Sequence, residues 1–276
     1  MLEIPEALVI SEQLNITVKG KRIKEAVAAS FPHKFAWYYG DPAEYGALLC
    51  GRTLGAAYPY GGRIEIEAEG AVLHFGDGAN LRYYEADENL PVKHQLLITF
   101  DDGSSLVGTV AMYGGLWAFP AGAMDDNFYY TVAKEAVPPL SDNFDYKYFL
   151  TLFNEKSLKM SAKAFLATEQ RIPGLGNGVL QDILLNAKIH PKRKMNTLLE
   201  EQQRKIFDSI KSTLSEMVNG GGRDTEKDLF GNPGGYKTKL SKLTALSLCP
   251  NCGDGAVKKE AYLGGSIYFC EQCQQQ

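Results

Sequence analysis

The chain has no apolar run that approaches the length of a membrane-spanning helix, which excludes an integral helical membrane protein. Its start, Met1-Leu-Glu-Ile-Pro-Glu6, is acidic and lacks the basic-then-apolar order of an export signal. Cysteine is sparse, with five residues, and four of them fall after position 248, leaving Cys50 alone. Without an export signal, disulfide pairing is not expected, and a reducing compartment suits the lone thiol. Internal repeats and low-complexity tracts are absent. These absences lead to an expectation of a soluble, cytoplasmic protein with no membrane partner, acting as a monomer.

A surplus of positive charge is also missing: the net charge is −4. Taken alone, that argues against a nucleic-acid partner, but the charge is unevenly spread. Residues 1–146 hold 10 Lys/Arg against 20 Asp/Glu, whereas residues 147–276 hold 19 against 13. An acidic polymer would be gripped by the second half. Chance asymmetry between two solvated surfaces is the alternative reading.

What is present is most telling at the C-terminal end. Cys249-Pro-Asn-Cys252 and Cys270-Glu-Gln-Cys273 are two C-x2-C knuckles separated by seventeen residues, a zinc-ribbon spacing. Soft thiolates suit zinc, and four of them leave no open position for water, so one structural zinc per chain is expected. Between the knuckles, Lys258 to Phe269 reads as a β-hairpin with its turn at Gly264-Gly265.

At 276 residues and 45% apolar content, the chain supports two compact domains. Pro5–Val18 has the apolar spacing of an amphipathic helix. From Arg63 to Phe119 the pattern is that of strands, with Arg63–Glu67 alternating and a turn at Asp101-Asp-Gly103. Residues 1–136 therefore read as an antiparallel β-sandwich with a leading helix, and the prolines of 137–145 mark a linker. Residues 146–240 read as helical, with helices at 146–153, 161–170 and 179–187. Thr197 and Glu200 suggest a capping box for a helix with Ile206, Ile210, Leu214 and Met217 on one face. A zinc finger over 245–276 completes an α+β, two-domain organisation.

The segment Ile172-Pro-Gly-Leu-Gly-Asn-Gly178 joins two helices. Its glycines let backbone approach a ligand, and the following helix start suits a phosphate. Helical hairpins with Gly turns are common, so this signal is weak by itself. It gains weight beside Lys163, the basic run His190–Lys194 and the zinc hairpin.

Ser161-Ala-Lys-Ala-Phe-Leu166 through Gln170, followed by Gly174–Pro191, resembles the helix–two-turns–helix segment of the formamidopyrimidine-DNA glycosylase and endonuclease VIII family. Cys249–Gly253 and Phe269–Gln274 resemble that family's zinc finger, and Glu3-Ile-Pro-Glu6 its N-terminal signature. The resemblance implies DNA repair: damaged DNA is bound, the lesion is flipped from the stack into a pocket between the domains, and an oxidised base is removed. It assigns DNA contacts to Lys163, Gly174, Gly176 and Asn177. It also places residues 223–236, with Asp224, Glu226, Asp228 and Asn232, over the base pocket.

In that family an N-terminal proline amine attacks C1′ of the sugar, with the adjacent glutamate transferring protons. Here Leu2 occupies the nucleophile's position, and the Met1 amine would lie one residue away from it, a shift costly in rate. Glu3 remains as the catalytic carboxylate, able to activate a water in a hydrolytic glycosylase. The family's β-domain lysine falls near Gly62 or Arg63; Arg63 keeps the charge but holds its proton too tightly to shuttle it. Asp77 stands where a methionine fills the gap left by the flipped base, which leaves Tyr113 as the stacking candidate. Gly265 replaces a DNA-facing arginine, with Lys258 and Lys259 substituting in part. The expectation is a DNA glycosylase with N-glycosyl hydrolase activity and weak or absent AP-lyase activity. The alternatives are a non-catalytic binder of damaged or distorted DNA and, further off, a protein or RNA binder.

Overall fold

The computed structural model describes residues 2–76, 78–124 and 127–275. It divides into two compact units, the first formed by residues 1–134 with 221–235, the second by 135–220 with 236–276. No helix among the described residues is long and apolar enough to cross a membrane.

The first unit opens with helix α1 (Ile4–Thr17), followed by β1 (Ile23–Ala28), β2 (Ala36–Trp37), α2 (Tyr45–Leu49), β3 (Leu54–Tyr60), β4 (Arg63–Ala68), β5 (Ala71–Gly76) and β6 (Ala79–Tyr84). Then come β7 (Leu96–Phe100), β8 (Ser105–Val110), β9 (Gly114–Pro120) and α3 (Phe128–Glu135). The strands make two sheets, ordered β1-β7-β8-β6 and β2-β9-β5-β4-β3. All pairings are antiparallel except the short β2–β9 pair, which is parallel. Ile64, Ile66, Leu73, Phe75, Leu81, Ile98, Leu106 and Leu116 fill the core, together with Ala7, Ile10 and Leu14 of α1. Burial of this apolar set is the main driving force for the unit. The Asn15 side chain ties α1 to β3, its amide donating to the Ala57 carbonyl while its oxygen accepts from the Ala57 N–H, both at 2.8 Å.

Strand β4 departs from the expected alternation of buried and exposed residues. Ile64 and Ile66 face the core, yet Arg63 and Glu65 on the opposite face are also buried. A second apolar layer of Val72, Trp117, Phe119, Met124 and Tyr130 covers that face. The tyrosine hydroxyl of Tyr130 donates to Glu65 at 2.5 Å, and the Lys134 ammonium donates to the same carboxylate at 3.1 Å. Polar residues on a strand therefore do not mark a solvated face when a helix closes over them.

In the second unit, α4 (Tyr146–Thr151), α5 (Glu155–Leu158), α6 (Ala162–Ala167), α7 (Val179–Asn186) and α8 (Glu200–Asn219) precede the hairpin β10 (Val257–Tyr262) and β11 (Gly265–Cys270). Residues expected as a linker are packed: Phe144 is fully buried, and the Lys211 ammonium donates to the carbonyls of Ser141 and Phe144. The segment 221–235, expected within the helical domain, groups with the first unit. The Thr197–Glu200 capping box does not form. Thr197 sits in a 3-10 turn with its hydroxyl donating to Lys194, and the Gln202 side chain instead accepts from the Leu199 N–H. Ile206, Ile210, Leu214 and Met217 are buried along α8 as their spacing predicts. Buried Asp182 on α7 holds the chain after residue 235, accepting from the N–H groups of Lys239 and Leu240 and from the Tyr236 hydroxyl.

Candidate functional site

In the first unit, the start of α1 supplies two carboxylates. Glu3 is the N-cap residue and Glu6 lies in the first turn, three residues on, so both side chains share a face. Each is buried, at 5% and 4% exposure. Between them lies Arg223, 2% exposed, from the segment 221–235. Its guanidinium meets Glu6 twice, Nε to Oε1 at 3.0 Å and Nη2 to Oε2 at 2.7 Å, and lies 3.5 Å from Glu3. Burial alone would lower the Arg223 pKa, but Glu3 and Glu6 outweigh it and hold it above its ordinary value.

Sequence reasoning missed this role for Arg223, because nothing near residue 223 points to an acidic partner more than two hundred positions earlier. The same segment was expected to present polar groups to a base. Asp228 is engaged locally, accepting from the Gln13 amide and from the N–H groups of Phe230 and Asn232. Leu2 is 7% exposed and belongs to the sandwich core. Met1 and Asp77 lie outside the described residues.

Arg63, expected to keep the charge of the family's β-domain lysine, is turned into the first unit. It is 6% exposed, its Nη1 lies 3.2 Å from Nε2 of buried His74, and its guanidinium packs on the Trp117 ring at 5.5 Å. Burial first, then Arg63 and Lys134, keep the His74 pKa well below its ordinary value. Tyr113 is 36% exposed at the turn between β8 and β9.

The second unit brings its expected binding residues together. Lys163 extends from α6 to donate to the Tyr262 carbonyl at 2.6 Å, and the Asn177 amide donates to the Ser266 carbonyl at 2.9 Å. Both converge on Gly265: a Cβ there would sit 3.5 Å from Lys163 Nζ and 3.8 Å from the Asn177 amide carbon. Gln181 completes the joint, accepting from the Tyr268 N–H and donating to the Ser266 carbonyl. Gly174 takes φ +79°, which lets the chain turn into α7, and the Leu180 N–H donates to the Gly176 carbonyl. The hairpin turn is at Leu263-Gly264, both with positive φ, one residue earlier than expected. Lys258 and Lys259 are exposed, but Lys258 pairs with Glu271 at 2.5 Å and Lys259 lies 6.0 Å from the Tyr268 ring centre. Lys192 of the basic run is likewise paired, with Glu260.

Below the hairpin, the sulfurs of Cys249, Cys252, Cys270 and Cys273 all lie within 4.8 Å of one another. The pairs Cys249–Cys273 and Cys252–Cys270 stand 3.8 and 3.7 Å apart. A tetrahedral site with metal–sulfur bonds of about 2.3 Å has edges of about 3.8 Å, so the cluster fits a thiolate-bound metal. No cysteine is in a disulfide. Gly255 leaves room for the site, since a Cβ there would stand 2.6 Å from the Cys270 sulfur. Its N–H also donates to the Cys252 sulfur, and backbone donors from Gly255 and Asp254 bring that thiol's pKa down to about 7.

The family model of the formamidopyrimidine-DNA glycosylase H2TH domain matches residues 136–228. The formamidopyrimidine-DNA glycosylase of Lactobacillus delbrueckii subsp. bulgaricus is 30% identical, over 99% of each chain. That of Cytobacillus firmus is 28% identical over 99% of this chain and all of its own. Among solved structures, a complex of Lactococcus lactis Fpg with DNA containing an abasic site superposes with a TM-score of 0.83 at 22% identity, covering 99% of this chain and 100% of that one. An Fpg complex with N7-benzyl-Fapy-dG DNA gives the same TM-score at 23% identity and the same coverage.

Two outcomes follow. Arg223→Ala strands two buried carboxylates and should cost about 3–5 kcal/mol of first-unit stability in urea unfolding. Because the Arg223 pKa is raised, the arginine's own stabilisation is complete at every pH below its unfolded value and is lost only as pH rises through the folded one. At neutral pH the deficit therefore carries the arginine's full share. A deficit under about 1 kcal/mol contradicts the clamp. For the metal, elemental analysis should give one zinc per chain, and chelation should melt the hairpin while the sheet signal of the first unit persists.

Proposed function

The chain belongs to the formamidopyrimidine-DNA glycosylase family, and from that premise we propose that it binds damaged duplex DNA and hydrolyses the N-glycosidic bond of an oxidised base, with little or no strand cleavage. The observation that carries the reading is the buried Glu3, kept beside Arg223 at the head of α1. A carboxylate fixed in this way suits activation of a water or stabilisation of positive charge developing on the sugar. With Met1 in place, the nitrogen of Leu2 is an amide whose lone pair is delocalised, so it cannot form a Schiff base. The Leu2 side chain is committed to the core, which removes the position from use as an exposed nucleophile.

DNA is held chiefly by the second unit in this reading. Lys163, Asn177 and the backbone of 174–178 take phosphates flanking the lesion; Lys163 is itself 5% exposed, and the absence of a side chain at Gly265 leaves the hairpin turn open on its side. An ammonium carries three donors, of which Tyr262 takes one. Lys259 adds a charge on the hairpin. Arg63 has no part in this grip, its guanidinium being turned to His74 and the Trp117 ring inside the first unit. The four cysteines hold a structural zinc that keeps the hairpin in shape. The protein works as a monomer in the cytoplasm.

The second reading, a non-catalytic binder of damaged or distorted DNA, draws on the same clamp. A Glu3 carboxylate engaged with a buried guanidinium is not free to take up a water, and Leu2 offers no nucleophile.

Duplexes carrying single oxidised bases, with and without borohydride, separate these readings. Excision should leave an intact abasic site, borohydride should trap no covalent complex, and Glu3→Gln should lower excision by about 100-fold or more while DNA affinity holds. Efficient trapping would restore a lyase, and binding without excision of any oxidised base would select the non-catalytic reading. Lys163→Ala should weaken binding to all duplexes alike and flatten the salt slope by about one unit. An unchanged slope would remove Lys163 from the phosphate contacts.

A further inference from the structure

The end of strand β6, the turn after it and the segment 221–235 enclose a cavity of about 310 Å³, lined by Arg82, Tyr84, Glu85, Glu88, Lys227 and Phe230. All of these residues belong to the first unit. Main-chain geometry fixes their meeting: the Tyr83 N–H donates to the Leu229 carbonyl at 2.9 Å, and the Tyr83 ring meets the Phe230 ring edge-on at 6.3 Å. The cavity lies away from Glu3. Gln13, whose amide bonds Asp228 beside it, stands about 15 Å further along α1 at about 1.5 Å per residue.

Charge in this cavity is unevenly satisfied. Its carboxylates are engaged by protein donors: Glu85 accepts from the Tyr83 hydroxyl at 3.2 Å, and Glu88 from the Glu85 N–H at 2.7 Å. Neighbouring Asp228 accepts from Gln13 and from the N–H groups of Phe230 and Asn232. The cations are not answered in this way. Among the described residues, Arg82 donates to the Leu81 carbonyl alone and forms no ion pair within 4.0 Å, and Lys227 forms none either. Burial holds the Arg82 pKa below its ordinary value, although Asp228, Tyr84 and Glu226 act the other way. A guanidinium presents five N–H donors, so one drawn partly out of water with a single partner favours an anion that takes the rest. Gly231 has φ +84°, and a Cβ there would stand 4.0 Å from Arg82 Cδ and Nε, so the glycine leaves that flank of the guanidinium uncovered.

We propose that this cavity is a mononucleotide site, in which Arg82 and Lys227 take the phosphate and Phe230 with Tyr84 the base. A guanidinium meets two phosphate oxygens at once, and an ammonium adds a point charge. Phe230 is 48% exposed, which leaves ring surface for a base, and every base has a π-face. The volume falls at the lower end of small-ligand cavities, about 300–1,000 Å³, so one nucleotide is held rather than a run of them. A nucleoside phosphate reaches the site either free in solution or as the phosphorylated end of a broken strand, and the recognised chemistry is the same. Lys227 and Phe230 lie in the segment that carries Arg223 to Glu3 and Glu6, so a nucleotide bound here also holds that segment against β6. The site uses neither Lys163 nor the hairpin, and it stands or falls apart from the glycosylase reading.

Isothermal titration calorimetry of the full chain, with dAMP, deoxyadenosine and inorganic phosphate as probes, tests the site. dAMP should bind with a Kd of about 10–100 μM, and each fragment at least about tenfold more weakly. Arg82→Gln and Lys227→Ala should each weaken dAMP by about tenfold and leave the weak deoxyadenosine binding in place. Phe230→Ala should weaken dAMP and deoxyadenosine but not phosphate. Lys227 and Phe230 are exposed, so their variants keep the fold even where Arg82→Gln disturbs it. A single-stranded pentanucleotide with a 5′-phosphate, set against its 5′-hydroxyl form, separates the two sources. Tighter binding of the phosphorylated form that depends on Arg82 marks a strand end, and dAMP binding without it marks the free nucleotide. No dAMP binding at about 1 mM, affinity no better than that of inorganic phosphate, or affinity unchanged in both Arg82→Gln and Lys227→Ala overturns the site.

Discussion

Arg223 and its two carboxylates tie the start of α1 to the segment 221–235. A guanidinium and two carboxylates taken from water are costly separately, and the cost is offset only while all three stay together. Their meeting joins the first turn of α1 to a segment more than two hundred residues away, which is why 221–235 belongs to the first unit although the helices before it and the hairpin after it do not. The position of the carboxylates at the start of α1 helps as well, because the helix dipole favours negative charge there. One ion cluster thus fixes Glu3, seats Leu2 in the core and sets the path of a segment that the resemblance places over the base pocket.

The second unit solves a comparable problem with main-chain acceptors. A two-stranded hairpin is marginal in isolation, so β10 and β11 need support. At one end stands the cluster of four cysteines, which in the proposed reading holds a zinc. At the other, Lys163, Asn177 and Gln181 bond the carbonyls and N–H of Tyr262, Ser266 and Tyr268. Residues read as phosphate contacts are therefore also the bolts that hold the hairpin to α6 and α7. That dual use explains how Gly265 is tolerated: the joint it sits in is built from neighbours, and the missing side chain opens space for Lys163 rather than leaving a void.

The legible parts of this fold were those written locally. Cysteine spacing located the four-sulfur cluster, and the 3.6-residue period located the buried face of α8. Strand alternation with its turn residues gave the β character of the first unit. What could not be read depended on partners distant in sequence. The alternation Arg63-Ile-Glu-Ile-Glu67 is what a half-solvated strand shows, yet Arg63 is packed on His74 and Trp117 and Glu65 accepts from Tyr130 of α3. Prolines at 138 and 139 suggested a linker, whereas Phe144 five residues on is buried among aromatics. Thr197 carried a capping signal, but its hydroxyl was claimed by the carbonyl of Lys194. For the candidate site, Glu3, Lys163 and Asn177 were legible through a resemblance, while Arg223 gave no motif at all.

The chemistry left to the first unit follows from what its burial forbids. A nucleophilic amine must be exposed, uncharged for part of the time, and near the sugar; Leu2 is in the core, and Arg63, the nearest cation to the lost lysine, is neutralised in its role by burial beside His74. In the proposed reading neither forms a Schiff base: a guanidinium keeps its proton, and while Met1 is retained the Leu2 nitrogen is an amide. Hydrolysis needs less: one ionised carboxylate at the sugar, and a water. Arg223 sets a positive charge 3.5 Å from Glu3, and in the proposed reading the carboxylate held there stabilises an oxocarbenium-like sugar. The clamp that makes the terminus rigid also narrows Glu3 to the part of the reaction in which charge, rather than basicity, does the stabilising.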